Sequence, residues 1–181
     1  LMQWMGSDSI AIIPAALQYI RNRDADFRYR QDSDFYYLSG FAEPDAVICI
    51  IPNRPQGEFI LFCREKDRER EIWDGYRAGV EGAIELFGAD DSYPISKLDE
   101  IIPVLMEGKK RLYVNLGAQP EFDARVMNWV NSLRAKTRQG AKAPAEFVML
   151  NHLLHELRLY KSADELNIMR RAGKISANAH I

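Results

Sequence analysis

Three histidines and two cysteines are the side chains of this 181-residue sequence best suited to metal or nucleophilic chemistry. His152 and His155 stand three positions apart, with Glu156 beside them. On a helix that spacing puts two imidazoles on one face, yet a zinc site needs a further ligand from elsewhere. Neither H-E-x-x-H nor its inverted form is present, so surface or helix-packing roles are expected for the pair. His180 is second from the end, and its role depends on the residues beyond it. Cys49 and Cys63 make no C-x-x-C and no spaced metal quartet. They read as two small buried residues of a reducing compartment, and their even separation would let them share a sheet face if their strands pair. No dinucleotide fingerprint, Walker loop or nucleophile elbow occurs, and the glycines of Gly75–Gly82 read as turns around a short helix. The densest polar patch is Arg21–Asp34, where Arg21, Arg23, Arg28 and Arg30 interleave with Asp24, Asp26, Asp32 and Asp34. Arginines beside aromatics would suit RNA, but the interleaved aspartates cancel that field. An ion-pair and hydrogen-bond cluster is expected there, with the wall of a binding cleft as the alternative.

The elements that would position these groups follow from periodicity. Ser9–Pro14, Ala46–Pro52 and Glu58–Cys63 are short apolar, β-branched runs that read as buried strands. Asn53–Gly57 is rich in turn formers and joins the last two as a hairpin. From Ser96, residues Leu98, Ile101, Ile102, Leu105 and Met106 form one helical stripe, which Pro103 should kink or shorten. Arg111–Asn115 reads as another strand. Pro120–Arg134 is a helix with Phe122, Val126, Trp129, Val130 and Leu133 on one face. Arg134–Pro144 is a basic connecting segment, followed by a helical stripe of Leu150, Leu153, Leu154 and Leu157. Ser162–Glu165 is a capping box opening a last helix with Ile168, Ala172, Ile175 and Ala179 on its apolar face. Alternation of strands and helices predicts an α/β fold, a sheet with crossover helices. The last helical pattern reaches Ile181 without a stop signal and residue 1 is Leu, so a longer parent protein is expected.

Composition excludes several classes. Hydrophobic residues make up 47% and charged residues 28%, which excludes a disordered tail, a collagen-like rod and a disulfide mini-protein. A net charge of −2 leaves no electrostatic footprint for nucleic acid or an acidic membrane. No apolar run approaches the roughly 20 residues of a membrane-spanning helix. No basic-then-apolar leader is visible, and the cytoplasm is the expected compartment.

Arg30–Phe41 (RQDSDFYYLSGF), followed by Glu43-Pro44, resembles the aminopeptidase P (Xaa-Pro aminopeptidase) family. Ile12–Ala16, Arg21-Asn22, Phe62–Glu65, Ile72–Gly75, Gly79–Ala83, Leu157–Ser162, Glu165 and Met169–Ala172 extend the resemblance over nearly the whole chain. It implies a mixed β-sheet flanked by helices of the creatinase/aminopeptidase P N-terminal type over residues 1–160. Residues 161–181 would then be the first helix of a C-terminal pita-bread catalytic domain.

Family members remove the first residue from peptides with proline second, using two Asp, one His and two Glu to hold two divalent metal ions, usually manganese. By resemblance those ligands lie beyond residue 181, so no catalytic or metal-ligating residue is assigned here and the chain alone is expected to be inactive. The Ala179-His180 pair resembles an Ala-His pair in that first catalytic helix. The resemblance implies proline-containing peptides as substrates and a homo-oligomer, dimer or tetramer, with cleft covering and subunit contacts as the tasks of this domain. Trp73 and Asp24 resemble residues that approach a neighbour's active site. The competing roles are a core tryptophan for Trp73, and a cap or an ion pair with Arg21 or Arg23 for Asp24. The alternative function is a non-catalytic peptide- or protein-binding module of a pita-bread relative.

Overall fold

A computed structural model describes residues 1–181. In chain order the N-terminal half holds α1 (Met2–Met5), β1 (Ser9–Pro14), β2 (Ile20–Asn22), β3 (Ala25–Asp26), α2 (Ser33–Ser39), β4 (Val47–Ile50), β5 (Phe59–Cys63), α3 (Arg68–Asp74) and α4 (Gly79–Phe87). The rest holds β6 (Asp91–Pro94), α5 (Leu98–Met106), β7 (Arg111–Val114), α6 (Pro120–Ala135), β8 (Glu146–Met149), α7 (Leu150–Leu159) and α8 (Ala163–Ala179). Six strands form one mixed sheet in the order β6-β5-β4-β1-β7-β8, and β2 and β3 form a separate small hairpin. The pairs β1–β4 and β4–β5 are antiparallel, while β5–β6, β1–β7 and β7–β8 are parallel.

The central strands are apolar on both faces because helices cover both. Ile10, Ile12, Val47, Cys49, Ile60 and Phe62 pack against α5 and α6 through Leu98, Ile102, Val126 and Trp129. On the other face Ala11, Ile13, Ile48, Leu61 and Cys63 meet Phe35 and Phe41, Ala83 of α4, and Leu150 and Leu154 of α7. The expected mixed sheet flanked by helices is thus the observed architecture.

Register separates the cysteines. Cys49 lies opposite Ile60, so Phe62 shares its face and Cys63 points to the other. The shared face allowed by their even spacing does not form, because antiparallel pairing is set by the register and not by the separation alone. Both are buried free thiols. Pro103 sits inside α5, which starts at Leu98 after a 3₁₀ turn over Ile95–Lys97. The basic connector leads into a strand, β8, on the far edge of the sheet, and α7 follows directly. Helix α8 has its capping box: Ser162 Oγ accepts from the Glu165 N–H, and the Glu165 carboxylate accepts from the Ser162 N–H. None of its residues is buried.

Burial pushes the Cys63 thiol up to about 11 and the Cys49 thiol higher still. In the unfolded chain these thiols ionise near the ordinary value of 9.0. Between those points the unfolded state loses protons that the folded state keeps, so stability falls as pH rises. Denaturant midpoints measured from pH 8 to 11 should therefore decline above about pH 9, and a C49A/C63A double variant should flatten that decline. An unchanged slope in the double variant would refute the assignment.

Candidate functional site: a cleft between a hairpin and helix α3

The Arg30–Phe41 motif builds a buried node. Gln31 is 9% exposed. Its Oε1 accepts from the Ala16 N–H at 2.8 Å, and from the Asp32 N–H and the Tyr29 hydroxyl at 2.9 Å each. Its Nε2 donates to the Glu43 carbonyl at 2.9 Å. Asp32 caps α2, accepting from the Asp34 and Phe35 N–H groups, both at 2.9 Å. Asp34 pairs with Arg158, whose guanidinium also lies over the Tyr37 ring at 5.6 Å. Phe35 and Phe41 are wholly buried. The motif thus fixes backbone and packing rather than presenting a reactive group.

Of the ion-pair and hydrogen-bond cluster expected over Arg21–Asp34, the hydrogen bonds form, around Gln31 and Asp32, while the arginines of the patch do not pair with its aspartates. Arg21, Arg23, Arg28 and Arg30 are exposed and none makes an ion pair. The aspartates are used one by one instead: Asp32 as a cap, Asp34 toward Arg158, and Asp26 as acceptor for the Gln18 amide at 2.7 Å. A short hairpin leaves its arginines in water, where solvation competes well with pairing.

The small hairpin and α3 border one cleft of about 550 Å³. Asp26, Tyr29 and Asp45 line it from the hairpin and the approach to β4, and Arg70, Trp73 and Arg77 from α3 and the segment after it. Burial, reinforced by the Asp45 carboxylate, pushes the Tyr29 phenol up to about 12, so its hydroxyl stays protonated. Trp73 lies near the C-terminal end of α3 and is 88% exposed. The core role for this tryptophan is excluded: α3 has no buried residue, and Ile72 is exposed as well. The charged residues around it form the helix Arg68–Asp74, capped by Asp67. Asp24 sits in the β2–β3 turn, exposed, with its N–H donating to Asn22 Oδ1 at 3.3 Å. It makes no ion pair with Arg21 or Arg23. The structure brings Asp26 of the hairpin and Trp73 to one cleft, and Asp24 stands at the tip of that hairpin without lining it.

Glu43 ties the cleft to the motif. Its carbonyl receives Gln31, while its carboxylate accepts from the Ala78 N–H at 2.7 Å and from Arg64 at 3.5 Å. Position 43 carried no chemistry in sequence, and only its place two residues after Phe41 hinted at a role.

His152 and His155 are both exposed on α7. The His180 Nδ1 lies 2.8 Å from the Ser176 carbonyl. No three His, Cys, Asp or Glu side chains come together as a metal cluster.

The sequence profile described as "Aminopeptidase P, N-terminal domain" matches residues 1–113. The chain belongs to this family. Over 181 residues it is 36% identical to the Xaa-Pro aminopeptidase of Escherichia coli K12, covering 99% of this chain and 41% of that protein. The aminopeptidase PepP structure from Pseudomonas aeruginosa superposes with a TM-score of 0.96 at 59% identity, covering 99% of this chain and 40% of that one. A zinc-substituted E. coli aminopeptidase P in complex with product gives 0.93 at 36% identity, covering 99% of this chain and 41% of that one. The chain therefore spans about two fifths of the length of these relatives. The zinc of that E. coli relative has no counterpart ligand set among these residues.

The two kinds of site residue separate in a stability measurement. Gln31→Leu leaves the Ala16 and Asp32 N–H groups and the Tyr29 hydroxyl without their acceptor, and should cost about 3 kcal/mol. Trp73→Ala, at an exposed position, should change stability by less than about 0.5 kcal/mol. Urea denaturation of both variants checks this, and equal losses would refute the division.

Proposed function

We propose that this chain is the N-terminal domain of an Xaa-Pro aminopeptidase, a hydrolase that releases the first residue of peptides with proline at position two. The observation that carries the reading is the likeness to such enzymes along the whole chain, not only in the motif. Residues 1–160 are the α/β domain and 161–181 the start of the catalytic domain. The lack of any buried residue in α8 supports that division.

The Xaa-Pro bond is a tertiary amide without an N–H, with its own cis/trans preference and a fixed proline φ. It needs a dedicated site, held by the catalytic domain with two divalent metal ions, manganese in the resting enzyme. The residues of this chain contribute position and shape. The Gln31 node fixes the hairpin, α2 and Glu43 to one another, and Glu43 anchors the Ala78 end of the segment that carries α3. Trp73 and Asp24 then project from the domain toward the catalytic cleft of a neighbouring copy in a dimer or tetramer. An indole left 88% exposed supports this, because apolar surface of that size is stabilised by being covered. No helix is long and apolar enough to cross a membrane. The buried free thiols fit a reducing compartment, and we assign the cytoplasm.

In the longer protein, a chelator should abolish cleavage of Xaa-Pro peptides and manganese should restore it, whereas this chain alone should show no turnover. Trp73→Ala in the longer protein should lower kcat/KM by about tenfold, near 1.4 kcal/mol of transition-state stabilisation. Asp24→Ala should act in the same direction. Activity that survives exhaustive chelation would overturn the metal dependence, no cleavage of Xaa-Pro peptides by the longer protein would overturn the hydrolase reading, and unchanged kinetics together with an unchanged oligomer would remove Trp73 from it.

A further inference from the structure

The cleft beside α3 holds more hydrogen-bond donors than the protein satisfies. A guanidinium carries five N–H donors. Arg77 is only 8% exposed, yet its side chain makes one contact, Nη2 to Asp74 Oδ2 at 2.8 Å. The Arg64 side chain is 14% exposed and makes one long contact, Nη2 to Glu43 at 3.5 Å. In both residues Nε is buried with no partner. Arg70 adds a third guanidinium, whose nearest carboxylate, Asp67, lies 4.0 Å away in solvent. Buried donors are nearly always paired, and leaving a charged one unpaired is costly. The buried Nε atoms are closed to a ligand, but the spare terminal N–H groups of these cleft-lining arginines call for oxygen acceptors, and carboxylate geometry matches them.

The rest of the cleft narrows the ligand. Asp26 and Asp45 line it from the opposite stretch of chain, and the Asp45 side chain has no hydrogen-bond or ion-pair partner. Asp45 also holds a positive φ of 51°, a conformation rarely adopted outside glycine, asparagine and aspartate. A simple oxyanion would satisfy the arginines and be repelled by these carboxylates. A peptide supplies both kinds of group, a carboxylate for the arginines and N–H donors for the aspartates. Trp73 offers an apolar surface at the same cleft, whose volume of about 550 Å³ accommodates a few residues.

We infer that Arg64, Arg70 and Arg77 form a site for the carboxylate of a peptide, with Asp26 and Asp45 as acceptors for its N–H groups and Trp73 as its packing surface. The site rests on this chain's own residues, and binding is read without turnover. Its failure would leave the hydrolase reading intact, and failure of that reading would leave binding here unaffected.

Isothermal titration of the 181-residue chain at low ionic strength tests it with three probes: a neutral tetrapeptide bearing a free C-terminal carboxylate, the same peptide amidated, and inorganic phosphate. The free acid should bind about tenfold more tightly than the amide, and more tightly than phosphate. Arg77→Gln should remove most of that preference. Arg70→Gln, at a position whose side chain is 71% exposed and whose loss cannot unfold the domain, should reduce it several-fold. Equal binding of acid and amide, no binding of the acid, phosphate binding at least as tight as the acid, or an unchanged preference in Arg70→Gln would each overturn the proposal.

Discussion

One carboxamide oxygen, Gln31 Oε1, accepts from three groups that belong to different parts of the chain. Ala16 follows β1, Tyr29 follows the small hairpin, and Asp32 begins α2. The amide nitrogen of the same side chain reaches the Glu43 carbonyl just before β4. Irregular backbone between elements has N–H and C=O groups that no helix or ladder can satisfy. Here a single side chain does so, and glutamine is the residue for it because it offers an acceptor and two donors at the end of a flexible stem. Asparagine has one methylene less, and glutamate could not donate to the Glu43 carbonyl.

The geometry of the cleft is downstream of that node. The β2–β3 hairpin has no buried residue and packs into neither core cluster. Its position depends on its two ends, Ala16 and Tyr29, which converge on Gln31. Helix α3 is in the same situation, with no buried residue of its own. It is held at one end by the Asp67 cap and at the other by Glu71, whose carboxylate accepts from the Arg77 N–H at 2.8 Å, and by Glu43 on Ala78. Two elements without cores thus face each other because polar side chains fix their ends. Such elements open at lower free energy than the sheet, which suits a surface that meets a partner.

The sheet was legible in the sequence because it obeys a single rule. Strands covered on both faces are continuous apolar runs, and SIAIIP, VICI and FILFC have no other economical reading. The two flanking helices α5 and α6 were legible from their stripes. The exposed helix α8 was legible from its capping box, but the edge strands β6 and β8 and the short helix α3 were not. Strand β6, DSYP, and strand β8, EFVM, mix polar residues because their outer sides are open, and α3 has no apolar stripe because it buries nothing. The Arg30–Phe41 string was visible as a motif, but composition pointed to ion pairs among its own neighbours where the chain uses caps, one amide and a single pair from Asp34 to the distant Arg158. Charge pattern does not distinguish a solvated arginine from a paired one. Trp73 and Asp24 were named by resemblance alone, and no periodicity would have separated an indole in water from one in a core.

Arg158 shows how the node extends toward α7. Its guanidinium joins the Asp34 carboxylate, and it stacks over Tyr37, so α7 is tied to α2 across more than a hundred residues of sequence. The Asp34 side chain is 14% exposed while that of Arg158 is 39% exposed, so the carboxylate is the more buried partner and would be the costlier one to leave alone. Lys161 donates to the Arg158 carbonyl at 2.5 Å and the Leu159 carbonyl at 3.1 Å, closing the C-terminal end of α7. The end of α7 is therefore fixed, and Ser162 then opens α8 through its own cap. A helix that begins with a complete capping box and buries none of its residues is specified locally, and Glu165, Ile168 and Met169 of α8 line a cavity with Tyr37, Arg158 and Lys161. The same motif that fixes the cleft at one end of α2 therefore holds, through Asp34 and Tyr37, the end of α7.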